Sequence, residues 1–242
     1  YEIVTGPLGP VQAVDTLIAT REIIHNIAGK HNLQATFCPR LYSHQAGTAS
    51  HVHVSVQSAH SDTPSNHPDI PDLPKDLASF MSGLLAHLPT VCAFTLPLDA
   101  SYARVMDGVW SGGAWVCWGR ENKEAPLRLC GSGKGFNVEL KAFDGLANPY
   151  LGLAAVLAAG VTGLEKGKTL EMRDCRLVAS ELTAERRGAM QIFTKMPTQS
   201  IVFEADTNER TEFFKGWLPE GAWTLYKNVR KVNNTTLRSN KD

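Results

Sequence analysis

Residues 47–56 read Gly-Thr-Ala-Ser-His-Val-His-Val-Ser-Val, a run of small residues followed by strict alternation of polar and apolar side chains. Because side chains on a strand point to opposite faces with a period of two, this pattern predicts a strand with a valine face on the core. The other face carries His51, His53 and Ser55. Two neighbouring imidazoles indicate a metal ligand with a polar neighbour, or two contacts to one anionic ligand. A solvated strand face that happens to carry histidines would give the same spacing.

The composition is that of an ordinary globular protein. The 242 residues are 43% hydrophobic and 20% charged, and they suffice for one large domain or two small ones. Lys plus Arg and Asp plus Glu both number 24, so no overall field attracts nucleic acid or an acidic membrane. The apolar run near residues 150–161 is too short and too rich in Gly and Ala to span a bilayer. We expect neither a nucleic-acid partner nor a membrane partner.

The cysteines and the first residues suggest where the chain works and how much of the fold it holds. Five scattered cysteines form no C-x-x-C pair, which predicts free thiols in a reducing compartment, the cytoplasm. No signal peptide is visible. The chain opens on a strand-like run without methionine. We therefore expect that it enters a domain midway and that part of a larger fold precedes it.

Hydrophobic periodicity and breaker residues predict the elements around the opening motif. Helices are predicted at 11–30, 76–87, 148–164, 208–216 and 222–232. Strands are predicted at 1–5, 35–38, 51–56, 115–118, 127–130 and 136–143. Residues 60–75 are rich in Ser, Asp, Pro and His and predict a mobile surface loop, while residues 233–242 predict a frayed tail.

The predicted strand at 136–143 repeats the alternation of the opening motif. Its polar face carries Asn137, Glu139 and Lys141, and its other face is apolar. The glycine-rich turn before it, residues 131–135, lacks the spacing of a phosphate-binding P-loop. This segment therefore predicts a second strand with one face on the core and a polar face that could contribute to a site.

Carboxylates and one imidazole on separate predicted strands suggest a metal site. Glu2, His51 and Glu139 form this set, and such ligands suit a hard divalent cation, Mg²⁺ or Mn²⁺. Cations near polar turns suit phosphate and carboxylate groups. These cations are Arg104, Lys123, Arg128, Lys134 and Lys141. The pattern favours metal-assisted phosphoryl transfer over a serine hydrolase, since no Gly-x-Ser-x-Gly motif is present. Each cation taken singly is better explained as a solvated surface charge.

Several collinear stretches make the chain resemble the catalytic domain of glutamine synthetase, over its C-terminal two-thirds. The stretches are 1–2, 26–31, 35–40, 47–55, 101–104, 122–128 and 147–151. The resemblance covers the chain as one N-terminally truncated domain, residues 1–242, and is best over 1–165. This divergent form is similar to the glutamine-synthetase-like half of fungal developmental-signalling proteins. It implies an α+β fold, in which an antiparallel curved sheet forms a partial barrel with helices outside.

The resemblance also implies a reaction. In the family, two divalent metals lie between ATP and glutamate, the glutamate γ-carboxylate is phosphorylated, and ammonia displaces phosphate from this acyl phosphate. The implied function is therefore a glutamate–ammonia ligase of nitrogen metabolism and glutamine biosynthesis. It would use Mg²⁺ or Mn²⁺, with ATP as co-substrate, and form a homo-oligomer. Glutamate or a related acid and ammonia or another amine are the implied small-molecule partners.

By similarity, the candidate residues take three kinds of role. Glu2 is implied as a ligand of the first metal, and His51 and Glu139 as ligands of the second. The nucleotide-side positions are His53, Ser55, Lys123, Arg128 and Lys134. The substrate-side positions are Gly47, Arg104 and Lys141. The catalytic positions are Arg104, which matches an arginine on the substrate carboxylate, and Arg128, which matches one on the ATP phosphates.

Departures from the family pattern keep other functions open. The family's flap carries a glutamate, whereas residues 106–111 contain none, and Lys123 and Lys141 replace family arginines. The family's other glutamate ligands precede the position of the first residue. One alternative is therefore a catalytically inactive fragment or pseudoenzyme with a binding or assembly role, which we expect for the isolated chain. A metal hydrolase built on His-x-His is the other, although the collinear stretches oppose it.

Overall fold

Four short strands form one open sheet in the part of the chain that the computed structural model describes, residues 2–42, 44–45, 47–58, 63–198 and 208–239. They are β1 (Val52–Val54), β2 (Trp118–Arg120), β3 (Leu127–Cys130) and β4 (Asn137–Leu140). Their spatial order is β1-β4-β3-β2. β4 is antiparallel to both of its neighbours, whereas β2 runs parallel to β3. The α+β prediction is confirmed, but the sheet is mixed and not wholly antiparallel.

Strand β1 has the two faces that its alternation predicts. Val52 and Val54 are partly buried and pack against the main apolar core, while His53 between them is exposed. The predicted strand face on the core is therefore confirmed, and the histidine side faces away from that core.

Seven helices accompany the sheet in the described ranges. They are α1 (Pro10–Lys30), α2 (Lys75–Thr95), α3 (Asp99–Arg104), α4 (Pro149–Glu165), α5 (Ala184–Ala189), α6 (Asn208–Lys215) and α7 (Ala222–Ser239). Helix α4 begins where the sequence predicts, because the Asn148 side chain accepts hydrogen bonds from the Tyr150 and Leu151 amides and Pro149 suits the first turn. Helix α7 continues to Ser239, well past the predicted start of fraying at residue 233. Residues 240–242 lie outside the described part.

Helices α2 and α4 pack closely and build much of the core. A Cβ atom on Gly83 would lie 2.6 Å from the Gly163 amide nitrogen, so only glycine permits this approach of the two backbones. Helix α2 runs through Pro89, where the sequence predicts its end, since apolar residues on both sides of the proline are buried. Core packing here outweighs the local cost of a proline within a helix.

Helix α2 is the one helix of the described chain that is long and apolar enough to cross a membrane. It is longer than the apolar run at 150–161, which the sequence marks as too short to span a bilayer. Within the fold, however, 78% of its most apolar window is buried. Helix α2 therefore has the character of a core helix of a globular domain.

Two predicted strands do not form. Residues 2–5 and 35–38 adopt no strand, and residue 1 lies outside the described part of the chain. Neither segment pairs with the described sheet, whose four strands pair in the order given above. The apolar residues that recur at helical spacing in α1 are partly covered. Val14 is buried, Leu17, Ile18, Ile24 and Ala28 are half-buried, and Ile27 is exposed.

The part of the predicted surface loop that the structure describes, residues 63–74, packs against the core. Within residues 63–74, Ile70 and Leu73 are buried in the core. The buried His67 ring is within hydrogen-bond distance of the Met172 carbonyl through Nε2, at 3.1 Å, and accepts the Asp69 amide at Nδ1. This part therefore differs from the mobile loop that its composition predicts, while residues 60–62 lie outside the described residues.

The five cysteines are free thiols, as predicted. Cys38 is half-buried, and the others are buried. Burial raises the pKa of the Cys130 thiol to about 11.

Candidate functional site

Strand pairing brings polar residues of three strands to one place on the sheet. In the register, His53 lies opposite Glu139 across the β1–β4 ladder, and Arg128 lies opposite Glu139 across the β3–β4 ladder. Because opposite residues in an antiparallel pair share a face, the alternation of each strand places its polar side chains together. The result is a group of four side chains, the Glu139 cluster: His51, Arg128, Glu139 and Lys141.

The Glu139 carboxylate is the centre of this cluster. His51 Nδ1 lies 2.8 Å from Oε1, Arg128 Nη1 donates to Oε2 at 3.2 Å, and Lys141 Nζ lies 3.6 Å from Oε1. Glu139 is only 5% exposed. The predicted convergence of His51 and Glu139 on one face is thus present, and the carboxylate is held by three basic groups.

The surroundings shift the pKa values of these groups in different directions. Burial alone would raise the pKa of Glu139, but the hydrogen bond from His51 and the Lys141 charge outweigh it and lower this pKa to about 2. Burial is the main reason that the pKa of His51 and the pKa of Lys141 both lie below their usual values. Glu139 is therefore an anion across the physiological range, and His51 favours the neutral imidazole.

The imidazole of His51 has a donor atom that suits a metal. Its Nδ1 faces Glu139, whereas its Nε2 is buried and has no hydrogen-bond partner within the described chain. A histidine whose one nitrogen bonds to a carboxylate and whose other nitrogen is available is a usual ligand arrangement for divalent metals. His51 Nε2 thus fits a metal ligand, and Glu139, bonded to Nδ1, fits the carboxylate that orients the imidazole.

The described residues do not complete such a site. They contain no group of three or more His, Cys, Asp or Glu side chains that could hold a metal ion. Glu2 is exposed in the extended segment before α1 and is absent from the ion pairs recorded for Glu139 in the described chain. The structure therefore brings together two of the three predicted ligands.

The predicted nucleotide-side residues occupy more exposed positions. His53 Nδ1 lies 2.7 Å from Asn137 Oδ1, so these two side chains form a polar edge beside the Glu139 cluster. Ser55 is exposed just beyond β1, Lys123 is exposed in the turn before β3, and Lys134 is exposed in the 3₁₀ turn before β4. Of the predicted nucleotide-side cations, Arg128 alone belongs to the cluster.

On the substrate side, Gly47 and Arg104 lie against each other. A Cβ on Gly47 would lie 2.6 Å from Arg104 Cγ, so this glycine permits the arginine stem to pass. Arg104 is 2% exposed, and its Nη2 donates to the Lys141 and Phe143 carbonyls at 3.0 and 3.4 Å. These bonds place the guanidinium behind the backbone that carries Lys141.

Two acidic residues near the site escaped the sequence analysis. Asp144 is fully buried, and its Oδ2 has no hydrogen-bond partner among the described residues. Burial raises its pKa, and the nearby Arg104 charge opposes that rise. Glu124 binds the backbone of the loop before β2, as described below. Both acids lie outside the helices and strands. There the sequence has no periodicity that predicts which backbone amides their carboxylates bind.

Acid should destabilise the fold through the Glu139 cluster. The pKa of His51 is below its ordinary value of 6.5, so stability is lost as pH falls below about 6.5. The pKa of Glu139 is about 2 against an ordinary 4.5, so a second loss follows as pH falls below about 4.5. Asp69, whose pKa Arg173 also lowers to about 2, adds to that second loss.

Urea denaturation at intervals from pH 7.5 to pH 3 measures these two losses of unfolding free energy. We expect His51→Gln to remove the loss that begins as pH falls below about 6.5, and Asp69→Asn to leave it in place. A His51→Gln variant that retains the upper loss would contradict the assignment to this imidazole.

Comparisons with known proteins identify the family of the chain. Residues 1–240 match the family model described as glutamine synthetase, catalytic domain. The chain is 46% identical over 237 residues to the protein fluG of Emericella nidulans, covering 98% of this chain and 25% of that protein. It is 34% identical over 175 residues to the gamma-glutamylpolyamine synthetase GlnA3 of Streptomyces coelicolor, covering 70% of this chain and 37% of that enzyme.

A solved structure supports the fold. The chain superposes on a GmaS–ADP complex with a TM-score of 0.74 and 23% sequence identity, covering 93% of this chain and 51% of the solved chain. The present chain therefore spans about half of that structure and less of the two relatives above.

Proposed function

Because the chain belongs to the glutamine synthetase catalytic-domain family, we propose that it forms part of an ATP-dependent carboxylate–amine ligase. The observation that supports this most is the Glu139 cluster, in which one buried carboxylate, one imidazole with a free nitrogen and two further cations meet on a core-backed sheet. The reaction we propose activates a carboxylic acid as its acyl phosphate, after which an amine displaces phosphate.

The residues of this chain would divide that work. His51 would ligate a Mg²⁺ or Mn²⁺ ion through Nε2, and Glu139 would orient its imidazole. The ion, when bound, supplies neutralisation of phosphate charge. Arg128, fixed by Glu139 and by the exposed Glu121, presents a guanidinium suited to a phosphate. Lys141 stands on the proposed acid side, and the buried Arg104 braces the backbone that carries it. Because the position of Lys141 is set before substrate arrives, its charge costs little reorganisation during reaction.

A larger amine is the second candidate for the nucleophile, beside ammonia. The loop between α3 and β2 lacks the glutamate of the family's flap. Its one carboxylate, Asp107, already accepts a hydrogen bond from the Ala114 amide at 2.9 Å. GlnA3, a relative at 34% identity, is named for a polyamine substrate. Without the flap glutamate, ammonium lacks one recognition group in this loop, which leaves room for a different amine.

We prefer an active ligase to a catalytically inactive fragment or pseudoenzyme, because the relative GlnA3 is named as a synthetase. We propose a homo-oligomer in the cytoplasm, with glutamate or a related acid as the acid substrate. The free cysteines support a reducing compartment.

The proposal predicts ADP release that depends on both an acid and an amine. The assay follows ADP with Mn²⁺, ATP and glutamate, with ammonium, with 1,4-diaminobutane, or with neither. It is run on residues 1–242 and on the full natural chain that contains them, called the parent chain. We expect amine-stimulated turnover in the parent chain, since the described residues of this chain supply only part of a metal site.

The matched control is Arg128→Met in the parent chain, which removes the guanidinium and keeps an aliphatic stem. We expect this variant to lose at least about 100-fold in turnover, as removal of a fixed charge from a phosphoryl-transfer site commonly does. Full activity of the variant, or no ADP release with any amine in the parent chain, would contradict the ligase.

A further inference from the structure

The loop between α3 and β2, residues 105–114, is held in one conformation by a carboxylate from another turn. Glu124, between β2 and β3, accepts the Gly108 amide at Oε2 and the Trp110 amide at Oε1, at 2.8 and 2.7 Å. Hydrogen bonds from backbone amides to an ionised carboxylate are among the stronger ones. We call this segment the Trp110 loop.

Further bonds brace the Trp110 loop from within. The Ser111 hydroxyl accepts the Met106 amide and lies 3.0 Å from the Met106 carbonyl. The Asp107 carboxylate bonds the Ala114 amide across the base of the loop. A loop with this many internal bonds is a fixed platform within the described chain and not a flexible connection.

The side chain that this platform presents is an exposed indole in a strained backbone conformation. Trp110 has a φ of +57°, a region that residues other than glycine rarely occupy. Its side chain is 68% exposed. Left-handed backbone at a bulky residue costs free energy, and such strain persists where the surrounding structure holds it, often at ligand-binding sites.

The Trp110 loop is anchored beside the Glu139 cluster. It begins directly after Arg104, at the end of α3. At its other end, a Cβ on Gly112 would lie 3.4 Å from Lys141 Cβ and 3.1 Å from Pro126 Cα. Trp110 is two residues before this close approach. The Trp110 loop therefore lies beside the segment that carries Lys141.

We infer that Trp110 determines amine specificity by receiving the carbon chain and ammonium group of an alkylamine co-substrate. The inference rests on the proposed function. An indole face attracts a cation more strongly than the other aromatic rings do, and its area also removes methylene groups from water. Ammonium offers no methylene group, so it gains only part of this interaction. The Trp110 platform therefore favours an alkylammonium over ammonia.

The kinetic test compares kcat/KM for 1,4-diaminobutane with that for ammonium in the parent chain. We expect Trp110→Ala to lower this ratio at least about 10-fold and Trp110→Phe to keep most of it, since a phenyl ring retains part of both interactions. Phe193, an aromatic side chain that is 66% exposed elsewhere, provides the matched control. Phe193→Ala should leave the ratio unchanged.

A binding measurement separates this inference from the proposed function. Calorimetric titration of 1,4-diaminobutane into the wild-type protein and into Trp110→Ala, with ATP and Mn²⁺ present, needs no turnover. Binding that depends on Trp110 without any turnover would uphold the inference and overturn the ligase. Turnover with an unchanged amine ratio in Trp110→Ala would overturn the inference alone. Absence of both turnover and Trp110-dependent binding would overturn both.

Discussion

Glu139→Gln is expected to lower both Mn²⁺ affinity and turnover of the parent chain about 100-fold and to destabilise the fold by about 3 kcal/mol. The substitution keeps the shape of the side chain and removes its charge. An amide cannot accept from both His51 and Arg128 without turning its NH₂ group toward a cation. Lys141, almost fully buried beside the same carboxylate, would then remain charged without compensation or lose its proton.

The matched control is Glu121→Gln, which removes the other carboxylate partner of Arg128. Glu121 is exposed, so we expect a stability change within about 1 kcal/mol. Manganese titration, ADP release and urea denaturation are measured on both variants. If the two substitutions changed Mn²⁺ affinity, turnover and unfolding free energy equally, burial of the Glu139 carboxylate would not matter. That result would contradict its central role.

Gly83→Ala is expected to destabilise the fold by about 2 kcal/mol or more, without a change of charge or polarity. The added methyl group would lie 2.6 Å from the Gly163 amide nitrogen and 2.7 Å from Gly163 Cα. Both are backbone atoms of α4, so relief requires the two helices to separate. Overpacking of a close-packed core commonly costs 1 to about 3 kcal/mol.

Gly29→Ala provides the same chemical change with the opposite expected sign. A Cβ at Gly29 meets nothing within 4 Å, and the residue lies in the last turn of α1. Alanine there should raise the unfolding free energy by up to about 1 kcal/mol through helix propensity. Urea denaturation measures both variants, and a stability loss in Gly29→Ala equal to that in Gly83→Ala would contradict the steric explanation.

Alternation of side chains predicts the polar side of the site well. The period of two in residues 51–56 and 136–143 assigns His51 and Glu139 to polar faces, and the strand pairing then brings them to 2.8 Å. The sequence alone gives neither the pairing of β1 with β4 nor the register. Those come from contacts that are distant along the chain, for which the family resemblance supplied the expectation.

Other features depend on tertiary structure that local patterns do not carry. The sequence predicts α2 to end before Pro89, but burial on both sides of the proline continues the helix. The strand predicted at 115–118 forms only from Trp118, while Trp115 instead pairs with Lys195 in an isolated bridge. Nothing in the sequence distinguishes Glu124 from an exposed acidic residue. In the folded chain its carboxylate accepts the Gly108 and Trp110 amides and stabilises the Trp110 loop.

The five thiols differ in burial, so the rate at which each is alkylated distinguishes folded from opened protein. Cys38 is within reach of solvent, whereas Cys92, Cys117, Cys130 and Cys175 are enclosed. Thiolate is the form that reacts with alkylating reagents, and enclosure limits the access of the reagent to it. One fast and four slow modifications therefore distinguish folded from opened molecules in the same sample. Mass spectrometry of partly alkylated protein would show which core regions open first when the packing between α2 and α4 is disturbed.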